Sequence, residues 1–340
     1  METIHKFSER IPCLICGYPE DARAFYVRRD KYLPKLKADD PSVRYGVCKK
    51  CGLVYQNPRI THEVEAALYS DGCYREFHGN PPEDFLQRHF RFAEGEEKWI
   101  SEALGSSFNK KGKRALELGA GAGYGVFAFQ KAGWDAVGVE PEEELAAFGR
   151  RRYGVRILGE YFTENSLPGE TFDLIYSVNV FEHLRDPLTI LQTARRKIRS
   201  NGYLHIFIPT FRSCYRKLTW IQFGSPHTVM FTHKTIGNLL AKTGFRLCEY
   251  SYHRDGELRL LAQPSEISEG LPYKEDWRFI PFEIYLQGFK YYLYYPAYAI
   301  PRLVAQGFKT ALYGILGHQR GEAVIKNFIK IKRRLRVDFY

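Results

Sequence analysis

The sequence predicts an α/β fold, a mostly parallel sheet with an antiparallel last strand, preceded by a cysteine-rich module and followed by a helical extension. Three observations carry this prediction. Apolar, strand-like runs alternate with amphipathic stretches from Lys113 to Pro264, the pattern of a parallel sheet covered on both faces. Two C-x2-C pairs stand ahead of them, and a tyrosine-rich, basic stretch stands behind. With 340 residues and 44% hydrophobic content, the chain is long enough to bury a sizeable core, which argues against disorder.

The cysteine pairs are Cys13 and Cys16 in "CLICG", and Cys48 and Cys51 in "CKKCG". A glycine just after each pair lets the backbone turn so that two thiolates face one tetrahedral ion. The 31 residues between the pairs exceed the commonest spacing, and a redox dithiol or plain core cysteines are the alternatives; two pairs together favour a structural zinc ribbon. Four thiolates leave the ion no open position, so it holds the fold and does no chemistry. The stretch "METIHKFSERIPCLICG" lacks the apolar core of a signal peptide, and no uncharged apolar run reaches the roughly 18 residues of a membrane span. The expectation is a cytoplasmic protein. A formal charge of +11 and a pI near 9.2 point to an anionic partner or surface.

Further along, Thr61 is placed to cap a short helix with Val64, Ala67 and Leu68 on one face. The turn-rich, aromatic "YSDGCYREFHGNPPED" reads as a linker able to fold over a site, and a helix follows from about Asp84 to Leu104, with Trp99, Ile100, Ala103 and Leu104 at core spacing. Strands and helices then alternate: "RALELG", "GVFAFQKAG", "DAVGVE", "EELAAFGR" and the buried strand "FDLIYSVNV". Asp186 caps a helix that begins at Pro187 and stops at "SNG", before the strand "YLHIFIP". The capped helix "THKTIGNLLAKTGF" leads into "FRLCEYSY" and "ELRLLAQP", an expected antiparallel pair. The implied organisation is a ribbon over residues 1–60, a helical linker and lid over 61–111, the α/β domain over 112–264 and an aromatic, basic extension over 265–340.

The stretch "ALELGAGAGYG" sets four glycines at alternate positions after the first strand. Bare backbone is tolerated where a chain turns sharply or approaches a ligand closely. A dinucleotide fingerprint would need glycine or alanine where Tyr124 or Val126 stands, and no Lys-Ser or Lys-Thr follows to make a phosphate loop. What remains is E-x-G-x-G-x-G: Glu117, Gly119, Gly121 and Gly123, with Glu140 at the end of the second strand, 21 residues after Gly119, where a carboxylate can accept from both ribose hydroxyls.

This combination resembles the class I, Rossmann-like S-adenosylmethionine-dependent methyltransferases. The resemblance extends to "FDLIYSVNVFEHLRDP" and "HTVMFTHKTIGNLLAKTGF", and "CGLVYQNPR" with "LYSDGCY" is similar to the N-terminal zinc ribbon module of some members. It implies that Glu117 faces the methionine end of S-adenosylmethionine, that the glycines let the loop pass close to it, and that Glu140 holds the ribose. It places Gly159 and Glu160 near the adenine edge and Asn179 beneath the transferred methyl.

Methyl transfer is an in-line displacement that needs alignment and exclusion of water, and a base only where the acceptor must lose a proton early. The base candidates are His183, after Glu182 at the fourth strand's end, and His227 in the loop "FGSPHTVMFT"; a structural role is the alternative for each. Some members bind a divalent cation with a Glu-x-x-Glu-His set, but here the first position is Asn179. His205 reads as core, His233 as part of a helix's first turn, and Tyr69 and Tyr74 as lid or packing aromatics. In the extension, Lys326, Lys330, Lys332, Arg333, Arg334 and Arg336 crowd beside aromatic residues, which suits helical packing or a homo-oligomer contact, an interfacial helix at the inner face of an anionic membrane, or a nucleic-acid surface, in that order. The function expected is methyl transfer to a small-molecule or glycan-type acceptor such as a lipid-linked sugar; the alternatives are an RNA or protein methyltransferase and a non-catalytic cofactor-binding module.

Overall fold

The structure is a computed structural model that describes residues 7–19, 22–38, 40–70, 79–105, 108–212, 223–252 and 257–287. Tyr74 and the basic end of the extension lie outside these residues, as does the side chain of Tyr69. The chain opens with strands β1 (Ser8–Glu9), β2 (Arg23–Arg29), β3 (Ser42–Val47), β4 (Val54–Gln56) and β5 (Arg59–Ile60), followed by helices α1 (His62–Ser70) and α2 (Glu83–Leu104). The α/β series runs β6 (Arg114–Leu118), α3 (Tyr124–Lys131), β7 (Asp135–Val139), α4 (Glu143–Tyr153), β8 (Arg156–Leu158), β9 (Phe172–Val178), α5 (Pro187–Lys197) and β10 (Ile198–Pro209). Strand β11 (Val229–Met230), helix α6 (His233–Lys242) and strands β12 (Phe245–Tyr252) and β13 (Glu257–Pro264) complete it, and a further helical segment covers 280–287.

The main sheet has seven strands in the order β12-β13-β10-β9-β6-β7-β8. β9, β6, β7 and β8 pair parallel and so do β9 and β10, while β13 lies antiparallel to both β10 and β12. The expected sheet with its antiparallel last strand is therefore present. Strand order reverses between β6 and β9, so the carboxyl ends of these two strands flank the crevice where ligands of open sheets bind.

Local chemistry explains the helix limits. Asp186 accepts from Thr189 N–H at 3.0 Å with Pro187 opening α5, and Thr232 and Thr235 form a reciprocal capping box on α6. In α4, Glu143 and Glu144 sit at the positive end of the helix dipole and Arg150, Arg151 and Arg152 at the negative end. The stretch "SNG" does not separate a helix from a strand as expected. α5 ends at Lys197 and β10 already begins at Ile198, which is buried opposite Phe172; the register then shifts before Tyr203. Burial of Ile198 outweighs the turn preference of the residues after it.

The cysteine module builds a second sheet, ordered β11-β4-β3-β2. Its fourth strand, β11, comes from the α/β series. One core runs without a break from Cys13, Cys51 and Leu53 to Leu116, Phe231 and Leu239. On the other face of the main sheet, Ile100 of α2 packs with Val126, Phe129 and Trp134. Helix α2 also buries Glu97, whose carboxylate takes hydrogen bonds from Ser101, Lys110 and Trp134, a satisfied polar network that hydrophobic spacing does not reveal.

Candidate active site

The glycines after β6 serve different ends. Gly119, Gly121 and Gly123 all have positive φ, at 72°, 52° and 81°. A side chain on Gly119 would run into Val180, and one on Gly123 would meet Ile157 at 2.8 Å, so both positions permit close packing. Gly121 faces open space, with only the Tyr124 hydroxyl, at 3.9 Å, near where a Cβ would stand. It is the position where the loop's bare backbone is accessible to a ligand.

Glu140, buried at the end of β7, accepts from the Gly121 N–H at 2.8 Å and from the Glu142 N–H at 3.0 Å. The acid and the glycine loop are thus one hydrogen-bonded unit. Glu117 lies beneath the first turn of α3: the Tyr176 hydroxyl donates to it at 3.0 Å, and any Cβ on Gly125 would strike its carboxylate. Burial pushes its pKa up to about 8, opposed by the Tyr176 and Val126 hydrogen bonds. Gly159 and Glu160 are exposed beyond β8, and the carboxylate of Glu143 occupies the space a Gly159 side chain would need.

Across the switch point, Asn179 ends β9 in a left-handed conformation, φ 54°, and its N–H donates to Phe207 O at 2.8 Å. A short turn, Phe181–His183, follows. His183 Nδ1 lies 2.9 Å from the Pro226 carbonyl; a carbonyl only accepts, so Nδ1 carries the proton and, in the neutral ring, Nε2 keeps its lone pair. Nε2 stands 3.7 Å from Glu182 Oε1. Glu182 is buried, which pushes its pKa up to about 8, and its Oε2 has no hydrogen-bond partner among the described residues.

His227 is buried edge-to-face against His183, with ring centroids 4.7 Å apart and planes at 75°. The two histidines singled out from sequence, 44 positions apart, therefore share one site. Glu182 joins them: one ligand atom from each of the three lies within 4.8 Å of the others, a donor set of the kind that holds a divalent cation. The Glu182–His183 pair was marked in the sequence, but the part of Tyr124, which packs against Phe85 and His89 of α2 beside the glycine loop, was not. His205 is fully buried 3.3 Å from Glu96, and His233 opens α6.

The four cysteines converge. Sγ of Cys13 is 3.5 Å from that of Cys51, and the same separation joins Cys16 to Cys48. The two turns are alike, Gly17 N–H bonding Cys13 O and Gly52 N–H bonding Cys48 O, both at 2.9 Å. Four sulfurs so grouped fit a tetrahedral zinc, for which metal–sulfur distances are about 2.3 Å.

Residues 87–250 match the family described as a methyltransferase domain. Over 98 residues the chain is 29% identical to a ubiquinone biosynthesis O-methyltransferase of Methylococcus capsulatus, covering 27% of this chain and 41% of that protein. It is 30% identical over 95 residues to a probable S-adenosylmethionine-dependent methyltransferase of Mycobacterium tuberculosis, covering 28% and 35%. The chain thus spans less than half the length of these curated relatives. Among solved structures, the magnesium protoporphyrin IX methyltransferase of Synechocystis with bound SAH is 16% identical over 60% of this chain and 99% of that one, with a TM-score of 0.44. With a methyltransferase family matched across the very strands that carry the glycine loop and Glu140, this protein carries a class I, Rossmann-like S-adenosylmethionine-dependent methyltransferase domain.

Proposed function

We infer that the chain transfers a methyl group from S-adenosylmethionine to a small-molecule or glycan-type acceptor, a lipid-linked sugar being the form that also suits the aromatic, basic extension. The observation that carries the reading is the joined unit of Gly121 and Glu140, an open backbone position hydrogen-bonded to a buried acid at the crevice of the sheet. When bound, the cofactor supplies a methyl group activated on a sulfonium. Glu140 is assigned the ribose hydroxyls, Gly159 and Glu160 the adenine edge, and Glu117, Gly119, Gly121, Gly123 and Asn179 the remaining cofactor contacts. His183 and His227 are assigned the proton of the acceptor, a role that matters most for a hydroxyl, which must lose its proton as the new bond forms. In this reading Cys13, Cys16, Cys48 and Cys51 hold a structural zinc in the 1–60 ribbon, 61–111 covers the cofactor, 112–264 does the chemistry and 265–340 meets the acceptor or its membrane. Among the described residues no helix is long and apolar enough to cross a membrane.

Calorimetry with S-adenosylmethionine tests the cofactor assignment. Micromolar binding by the wild type and a loss of about tenfold or more in Glu140→Ala are expected, from removing a charge-assisted hydrogen bond. Absence of wild-type binding overturns the reading. Cell extracts given labelled cofactor and resolved by mass spectrometry then identify the acceptor, and a labelled RNA or protein fraction in place of a glycan or lipid one replaces the acceptor class proposed.

A further inference from the structure

The turn that carries His227 is held from the side of the cysteine module. Its carbonyls at Gly224, Ser225 and His227 meet the side-chain amide of Gln56, whose Nε2 lies 3.0, 3.2 and 2.8 Å from them. The Tyr45 hydroxyl sits between the Gly224 and His227 carbonyls, 3.0 Å from the first. Asp30, just past β2, accepts from the Ser225 N–H at 2.8 Å and the Ser225 hydroxyl at 2.9 Å. The Gln56 N–H donates to Thr228 O at 2.9 Å, and the β4–β11 pairing continues from there.

Asp30, Tyr45, Gln56 and Ser225 are all buried. Sending three polar side chains from separate parts of a module into one dry turn costs desolvation, which only well-placed acceptors offset. Simple packing would be served by apolar side chains. Here the carbonyls fix the amide's orientation, since they can only accept, and the amide in turn holds the peptides that follow Gly224, Ser225 and His227. From the opposite side, the His183 ring donates to Pro226 O and the Thr228 N–H donates to Glu182 O at 2.8 Å. His227 is clamped between the module and the Glu182–His183 turn.

We propose that Tyr45 and Gln56, supported by Asp30, are positioning residues that set His227 against His183 on the acceptor side of the site. The proposal rests on the reading of that side given above, and its test separates the two. In the full chain, Tyr45→Phe removes a single oxygen and Gln56→Leu removes the amide. Amide hydrogen exchange at residues 224, 225, 227 and 228 should rise about fivefold to tenfold in each, the loss of one net hydrogen bond, and the ring signals of His227 should move. The ring signals of His205 should stay in place, and the affinity for S-adenosylmethionine should stay within twofold of the wild type. Gln56→Glu sets an oxygen against three carbonyls, and its exchange at 224–228 should fall back toward the wild-type rate as pH drops and the carboxyl regains a proton to donate. Wild-type exchange and wild-type His227 signals in both Tyr45→Phe and Gln56→Leu overturn the proposal. Separately, labelled-cofactor turnover in cell extract that survives His227→Ala removes His227 as a base, while the exchange result alone still decides whether the module sets the turn.

Discussion

The side of the site proposed for the cofactor is assembled mostly from chain between Glu117 and Glu160, joined by Tyr176, Asn179 and Val180 at the end of β9, whereas the side proposed for the acceptor draws Glu182 and His183 from one turn, His227 from another, and its supports from β3 and β4 near the start of the chain. The first is local and rests on backbone geometry. The second is non-local and rests on side chains buried between two sheets. The two sides should therefore fail separately, the acceptor side with the module and the cofactor side with the glycine loop.

The sharpest break between them is Cys51→Ser. For the zinc proposed here, losing one of four thiolates removes most of a metal-binding free energy on the order of 10 kcal/mol in small zinc modules, and β4, which begins three residues later, pairs with β11 beside His227. Hydrogen exchange should report lost protection across β3, β4 and residues 224–230, with β6, β7 and β9 protected and calorimetry still detecting S-adenosylmethionine. Collapse of the main sheet in this variant would show that the two sides form one cooperative unit.

Within the cofactor side, Gly119→Ala and Gly121→Ala sharpen the comparison. Alanine at 119 meets Val180 and takes up a left-handed conformation, so a loss of about 3 kcal/mol is expected in thermal or urea unfolding. Alanine at 121 carries only the cost of a left-handed conformation, about 1–2 kcal/mol, because the space beside it is open. Its larger effect should be on cofactor affinity, and calorimetry that finds Gly119→Ala the weaker binder and Gly121→Ala unchanged would reverse the roles given to the two glycines.

The same contrast decides what the sequence made legible. Strands β6, β7 and β9 and the β12–β13 pair could be traced from the chain alone because their apolar runs and turn residues are contiguous, and Glu140 because it ends a strand at a fixed distance from the glycines. His183 and His227 could be named as candidates, but their contact could not, since it depends on a turn anchored by Tyr45 and Gln56 more than 160 positions away. Gln56 ends a run of apolar strand residues, and nothing in its neighbours signals that its amide gathers three carbonyls. The pairing of β11, from the α/β series, with β4 of the other sheet was hidden for the same reason, as two residues carry no periodicity. Ile198 shows the opposite error, a local turn signal overridden by burial.

Glu117 gives a smaller expected effect than Gly119, and the one that separates burial from function. Burial holds its pKa near 8, above the usual carboxylate value of 4.5, despite the Tyr176 and Val126 hydrogen bonds. The folded protein therefore keeps a proton that the unfolded chain releases, and this group's contribution to stability is complete below about pH 4.5 and lost as pH rises through about 8. Glu117→Gln is neutral in both states and loses nothing over that window. Its stability relative to the wild type, from urea unfolding without cofactor, should climb by about 2 kcal/mol between pH 6 and pH 8 and level off beyond. Glu182, buried in the same way on the acceptor side, keeps its own slope in that variant, so the difference isolates one carboxyl. A difference that stays flat from pH 6 to pH 8 means that water or a nearby donor already solvates Glu117, and that the first turn of α3 stands open enough for its carboxylate to meet a ligand directly.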